Sequence, residues 1–386
     1  MPPLQGITVV ALEHAIAAPF ATRQLADLGA RVIKIERPGV GDFARGYDTQ
    51  ARGLASHFVW VNRAKESLTL DLKHPQAAAV LEQLVERADV VVQNLAPGAA
   101  QRLGLGWAAT SARKPALILC DISGYGNDGP HRDRKAYDLL IQSEAGFLSV
   151  TGTPEEPSKA GIAIADIAAG MYAYTNILAA LIERGRTGLG RHIDVSMLES
   201  LAEWMGYPLY YTMDGAAPPP RSGAAHATIY PYGPFATGDG ASVMLGLQNE
   251  REWLAFCRTV LQRPALAEDP RFSGAAARSK ARGELRGIIE DALRGLDAGQ
   301  VLARLDEAQI ANASVNTMQG LWAHPQLRAR HRWREVGSPV GALPALLPPG
   351  REDACLGPVP ALGEHTDAIL AELGFDPAAL RASGAV

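Results

Sequence analysis

Through the first half of the chain, short apolar runs alternate with segments in which apolar residues recur every three or four positions. "GITVVAL" (6–12), "RVIKIE" (31–36), "DVVVQNL" (89–95) and "PALILCDIS" (115–123) have the length and branched content of buried strands. "PFATRQLADLGA" (19–30), closing at Gly29, and "HPQAAAVLEQLVERA" (74–88), with Pro75 in its first turn, carry the helical period. So do 138–149 and 165–184, the latter closing on Glu183-Arg184-Gly185. Apolar strands alternating with helices predict βαβ units and a mainly parallel sheet, so the fold class is α/β with a doubly wound large domain.

The pattern changes after about residue 200. "MDGAAPPPRSGAA" (213–225) is rich in Pro, Gly and Ala, as in a long loop. "EREWLAFCRTVL", "RGELRGIIEDALRGL" and "AGQVLARLDEA" are helical and charged, "ASVNTM" (313–318) is a candidate strand, and "GEHTDAILAELG" (363–374) a short helix. The expected organisation is a large domain over 1–205, a linker over 206–225 and a smaller α+β domain over 226–330.

Composition narrows the function classes. A chain of 386 residues with 47% apolar and 20% charged residues has a globular composition. A net charge of −4 without a basic run provides no footprint for nucleic acid. No apolar run is read as reaching the ~18 residues of a membrane span, and "MPPLQGITVVALEH" has neither the charged flank nor the cleavage site of a secretory signal. Cys120, Cys257 and Cys355 are scattered, which suggests free thiols and a cytoplasmic setting. The dispersed histidines suggest no metal site.

A nicotinamide enzyme would carry G-x-G-x-x-G after the first strand. That turn reads "EHAIAAPF", without a glycine, and although Glu36 ends the second strand where a ribose partner would stand, the dinucleotide reading fails. Asp166 raises a sharper question. It is the lone acid of "SKAGIAIADIAAGMYAYTNILAALI", and a carboxylate among apolar residues is costly to bury unless it is paired or used. One reading makes it the cap or first-turn acid of its helix. The other makes it a nucleophilic or basic carboxylate held ionised by the helix start. Both share one geometry, so both stay open at this point. His14, Arg37, Lys73, Asn94, Arg102, Lys135 and Tyr137 fall at or after strand ends, where open α/β sheets bind ligands. Each alone reads first as a solvated surface residue; together they suit a phosphate-rich ligand such as coenzyme A. "GYGNDGP" (124–130) is a turn cluster, either a structural loop or an entrance lid.

In order, "VIKIERPGVGDFAR", "LDLK", "QNLAPGAAQRLG", "GYGNDGP", "ADIAAGMYAYTNILAAL", "GRHIDVSMLES" and "LGEHTD" resemble the class III CoA-transferases, from Gly6 to about Gly374. The resemblance implies a Rossmann-like large domain, a small domain, a return segment (331–386) to the large domain and an interlocked homodimer. It implies no resident cofactor, with a coenzyme A thioester and a free carboxylic acid as substrates. It places the covalent nucleophile on Asp166 and the coenzyme contacts on His14, Arg37, Leu70, Lys73, Asn94, Leu95, Arg102, Lys135, Tyr137 and Met197. The α-methylacyl-CoA racemases share the fold but carry a catalytic histidine where Tyr137 stands. A racemase or isomerase, or a silent coenzyme A-binding protein, are the alternatives.

Oxalate-using members have a glutamine near the acyl group where this chain has Ile16, and their run of four glycines is not found. "AAHATIYPYGPF" (224–235) resembles members acting on C4–C5 dicarboxylates such as mesaconate, itaconate or citramalate, with succinyl-CoA as a natural donor. Arg45 and His226 are the candidate cations for the distal carboxylate.

Overall fold

The computed structural model describes residues 1–386, which form two compact units. The first comprises Met1–Gly146, Ala160–Gly206 and Gln326–Val386; the second comprises Phe147–Lys159 and Tyr207–Pro325. The segment 147–159, expected in the large domain, thus groups with the second unit. So does most of 206–225, where the helix Gly206–Tyr211 and a 3-10 turn at Met213–Gly215 replace a bare linker.

The first unit is built on six parallel strands: β1 (Thr8–Leu12), β2 (Arg31–Glu36), β3 (Lys65–Thr69), β4 (Val90–Gln93), β5 (Ile118–Ser123) and β6 (His192–Ser196). They lie in the order β3-β2-β1-β4-β5-β6. The inner strands are largely apolar because helices cover both faces, and Val9, Val10, Val90, Val91, Val92, Leu119 and Cys120 are fully buried; β2 departs from this with buried Lys34 and Glu36. The order reverses between β1 and β4, so their carboxyl ends open a crevice, the usual ligand position in such sheets.

Helix boundaries depart from expectation in instructive ways. The helix after β3 runs Ala77–Arg87, with Pro75 before its cap rather than in its first turn. The 138–149 segment is two helices, Asp138–Glu144 and Phe147–Val150, parted at Gly146, whose φ is +75°. The long helix runs Ile164–Thr187, through Gly185, and stops at Gly188 in a left-handed cap whose N–H reaches the Arg184 carbonyl at 2.8 Å. This helix is long and apolar enough to cross a membrane, which corrects the expectation that no run reaches span length. Its composition follows from packing. Ala165, Ala168, Ala169, Ala173, Ile177 and Ala180 are buried, and a Cβ at Gly170 would stand 2.7 Å from the Ala17 carbonyl oxygen on the helix Ala17–Asp27.

The C-terminal segment docks on the edge strand β3. Ser67 N–H donates to His365 Nδ1 at 3.2 Å, and Thr69 N–H donates to Thr366 Oγ1 at 3.0 Å. A hairpin of β10 (Trp333–Val336) and β11 (Leu343–Leu346) lies within the expected return segment. In the second unit, β7 (Tyr232–Ala236), β8 (Ser242–Gly246) and β9 (Asn312–Ser314) form an antiparallel sheet. Its core is Phe235, Trp253, Phe256, Phe272, Leu285, Ile289, Val301 and Leu305.

Candidate active site

The crevice between β1 and β4 is fastened by one side chain. Asn94 Oδ1 accepts the His14 N–H at 2.9 Å, and its Nδ2 donates to the His14 carbonyl at 2.9 Å. The exit loop of β4 therefore grips the turn after β1. Asn94 is itself held by its neighbour: Gln93 accepts the Leu95 N–H at 2.7 Å and donates to Asp121 on β5 at 2.9 Å. His14 stacks on Phe43 with centroids 5.4 Å apart, and its buried Nδ1 has no partner within the chain. Burial holds its pKa below the ordinary imidazole value, so the ring is a neutral polar wall.

Behind this turn lies a buried ionic cluster that the sequence reading missed. Lys65 Nζ lies 2.6 Å from Glu13 Oε1, Lys34 Nζ lies 2.9 Å from Asp42 Oδ2, and Arg45 pairs with both oxygens of Glu36 at 2.8 Å. Thr22 and Ser67 hydroxyls donate to Glu13 and Glu36, each at 2.6 Å. Burial opposes ionisation of Glu13, but Lys65 and Lys34 outweigh it and pull its pKa below the ordinary value. Glu36 is drawn down to about 2 against its burial by Arg45, Lys34 and Ser67. The available signal was Lys34 itself, a cation inside the otherwise apolar strand "VIKIE". Glu36 is thus committed inside the fold and unavailable to a ribose.

Arg45 is likewise committed. Besides Glu36, its guanidinium stacks on Phe58 at 3.7 Å and donates to the Pro360 carbonyl at 3.3 Å. This corrects its assignment as the free cation for a substrate carboxylate. His226, in the second unit, stacks on Tyr232 with centroids 5.2 Å apart, and its Nδ1 accepts the N–H groups of Thr228 and Ile229 at 3.2 and 3.0 Å. The ring organises its own loop, with Nδ1 taken by two backbone donors.

Asp166 is the third residue of its helix and partly buried. The capping role belongs to another residue: Asp138 Oδ1 accepts the N–H groups of Ala165 and Asp166 at 2.8 and 3.3 Å. Buried Gln142 donates to Asp138 Oδ2 at 2.6 Å and so fixes the cap. The Asp166 carboxylate has no hydrogen-bond or ion-pair partner within the chain. Its pKa is pushed up to about 7, first by burial and then by the negative charge of Asp138. Tyr47 faces it. Burial, Asp42, Asp166 and Tyr137 together raise that phenol to about 12. The sequence reading missed Asp42, Tyr47, Asp138 and Gln142.

The other expected residues divide into two kinds. Arg37, Lys73, Arg102 and Lys135 stand exposed after β2, β3, β4 and β5, and none has an ion-pair partner. Leu70 and Met197 are buried, Leu95 and Asn94 half-buried, and Tyr137 is 68% exposed. Ile16 is buried at the start of the helix Ala17–Asp27. The carboxyl edge of the sheet thus carries exposed cations without ion-pair partners after β2, β3, β4 and β5, and buried Leu70 and Met197 directly after β3 and β6.

Comparison with known proteins agrees with this arrangement. The model of CoA-transferase family III matches residues 4–366. The succinate–glutarate CoA-transferase of Agrobacterium fabrum is 34% identical over 96% of each chain. The acetyl-CoA:oxalate CoA-transferase of Acetobacter aceti is 34% identical over 85% of each. The crystal structure of a CAIB/BAIF family protein from Brucella suis has a TM-score of 0.84 at 35% identity, over 96% of this chain and 99% of that one. A match along nearly the whole length, on a sheet whose carboxyl edge carries these groups, makes the chain an enzyme of CoA-transferase family III.

Proposed function

We propose that this enzyme moves coenzyme A from succinyl-CoA to a C4–C5 dicarboxylic acid through covalent intermediates on Asp166. One observation carries the choice of nucleophile: Asp138 already caps the helix, so Asp166 stays partly buried with no structural partner. Its carboxylate attacks the thioester carbon and expels coenzyme A thiolate, forming an acyl–aspartyl anhydride. The thiolate then attacks the aspartyl carbonyl, releasing succinate and leaving an aspartyl thioester. The acceptor carboxylate displaces the thiolate to form a second anhydride, and thiolate attack on the new acyl carbon yields product and free Asp166. Splitting the exchange in this way replaces one difficult displacement by four easier ones.

Coenzyme phosphates are assigned to Arg37, Lys73, Arg102 and Lys135, whose charges are not neutralised internally. His14, Leu70, Asn94, Leu95, Tyr137 and Met197 line the rest of that path. Racemisation is disfavoured because it needs two acid–base groups flanking one carbon. Tyr137 replaces the histidine expected there, and Tyr47 at about 12 is a poor base at neutral pH.

The chain stands 34% identical to both a glutarate and an oxalate enzyme, so local residues must choose the acceptor. Buried Ile16 offers carbon rather than a hydrogen bond, which suits a methyl or methylene more than a compact dianion. A homodimer is supported by large apolar side chains exposed within each unit: Leu139, Leu140, Ile162, Ile182 and Trp204 in the first, Leu209, Tyr210, Met213 and Met318 in the second.

The test is a panel of glutarate, itaconate, mesaconate, citramalate, succinate and oxalate with succinyl-CoA as donor, read by mass spectrometry of the CoA esters. A C4–C5 acid should give the highest kcat/KM, and hydroxylamine added during turnover should modify Asp166 alone. Oxalate ranking first sinks the acceptor assignment; modification of another acid sinks the nucleophile.

A further inference from the structure

We propose that Asp42 is a positioning residue for transfer: it holds Ala15 in a left-handed turn that sets the His14–Ile16 wall of the acyl site against Asp166. The proposal rests on Asp166 being the nucleophile. Ala15 has a φ of +59°, a conformation that suits glycine and is unfavourable for alanine unless its surroundings impose it. The Ala15 N–H donates to Asp42 Oδ1 at 3.1 Å, and the same oxygen takes the Ala44 N–H at 2.9 Å. The other oxygen is tied to Lys34 at 2.9 Å. Asp42 is 1% exposed and Lys34 0%, so this carboxylate has no room to swing away. Its own N–H donates to Glu36 Oε1 at 3.0 Å, which registers the clamp on the end of β2.

The turn is therefore gripped from two sides, by Asn94 at His14 and by Asp42 at Ala15. The helix that follows it begins at Ala17 and packs on the Asp166 helix, where Gly170 admits the Ala17 carbonyl at a distance no side chain would tolerate. Released from Asp42, Ala15 would relax to negative φ, the peptide planes on either side would rotate, and Ile16 would leave its place. Lys73, Arg102 and Lys135, carried by loops after β3, β4 and β5, would keep most of the coenzyme's contacts, whereas Arg37, on the loop that carries Asp42, and His14, on the turn itself, would shift. Asp42 thus acts on the acyl transfer steps through backbone geometry and touches no reacting atom.

The experiment compares kcat, the KM for succinyl-CoA and the Kd of free coenzyme A in the intact enzyme and its variants. Asp42→Ala should lower kcat about a hundredfold, the usual cost of misplacing a reacting group by about an ångström, while the Kd rises no more than about tenfold, as expected if only the His14 and Arg37 contacts are disturbed. Adding Ala15→Gly to Asp42→Ala should restore kcat at least about tenfold, because glycine adopts positive φ without a clamp. Retained kcat in Asp42→Ala, parallel loss of coenzyme affinity, or no rescue by Ala15→Gly overturns the proposal. Asp42→Ala strands Lys34 in the interior and can cost the fold, so Ala15→Val is an independent arm. It leaves every buried ion pair intact but disfavours the left-handed turn, and it must lower kcat with coenzyme affinity kept; full activity there overturns the proposal. Full activity in Asp42→Ala beside an inactive Asp166→Asn would overturn the positioning role alone and leave the nucleophile standing.

Discussion

Two sets of carboxylates lie in the same unit and meet opposite fates. Glu13, Glu36 and Asp42, beneath β1, β2 and β3, are each ion-paired with a lysine or arginine. Asp166 has no internal partner, and the nearby charge it feels most is another carboxylate, Asp138. The first set shows what a protein does with buried charge when the purpose is shape: it balances each ion and adds hydroxyl and backbone donors. The second shows charge left unbalanced, which costs stability and leaves the carboxylate reactive.

The sharpest way to break this contrast is Asp166→Asn, which removes the charge and keeps the shape. Transfer should fall by at least about a thousandfold, as loss of a covalent nucleophile commonly does. Stability should move the other way. The folded pKa of about 7 lies above the ordinary aspartate value, so the protonated form folds better and native aspartate loses stability as pH rises between the two. The variant escapes that loss. Its advantage in urea unfolding should widen from pH 5 to pH 7, hold constant above, and reach at most about 4 kcal/mol. Equal stability of the two proteins at pH 8 would mean that Asp166 is not strained by its surroundings. In the native enzyme, kcat/KM should climb with pH and level off above about 7 as the carboxylate ionises.

The paired set should respond in reverse. Glu13→Gln leaves Lys34 and Lys65 with one counter-charge fewer in a dry interior, a change that typically costs about 3–5 kcal/mol. The midpoint of urea unfolding should drop accordingly, and the protein that remains folded should still show an intact Asp166 pH profile. A pH profile displaced by a full unit would mean that the cluster tunes Asp166 directly rather than holding the turn in front of it.

How much of this was visible in the sequence follows from where each residue sits. The inner strands β1, β2, β4 and β5 declare themselves because both faces are buried and mostly apolar, Lys34 and Glu36 of β2 being the exception. The edge strands β3 and β6 do not, since "KESLT" and "HIDVS" mix polar and apolar positions as half-covered strands must. Asp166 stood out as an isolated acid in an apolar helix, but sequence could not tell cap from nucleophile. Assigning the cap needed Asp138, which lies 28 residues before Asp166 and reaches the same helix end only in three dimensions. The partners of Arg45 and His226 were invisible for the same reason, because Glu36, Phe58 and the 228–229 backbone are brought to them by tertiary structure. Gly185 misled because only Gly188 adopts positive φ.

The smallest effect concerns the exposed cations, which share the unpaired state of Asp166 but not its burial. Arg37, Lys73, Arg102 and Lys135 are solvated, so each should contribute modestly, on the order of the 1 kcal/mol or less typical of surface charge interactions. Replacing any one by alanine should raise the KM for succinyl-CoA about three- to fivefold at low salt, leave kcat unchanged, and leave the unfolding midpoint unmoved because no internal partner is lost. Added salt should erase the difference, since a Debye length of about 8 Å at 0.15 M ionic strength screens such contacts. Arg113, at the end of the helix Trp107–Arg113 that leads into β5, serves as the control: it is already paired with Glu82 at 3.0 Å, and Arg113→Ala should leave the KM where it was. If the control raises the KM as much as the four unpaired cations do, the rim acts only as diffuse positive charge and the assignment of individual phosphate contacts fails. If the four rise and the control does not, absence of an internal partner marks the ligand-facing cations here, as it marks the carboxylate at the centre.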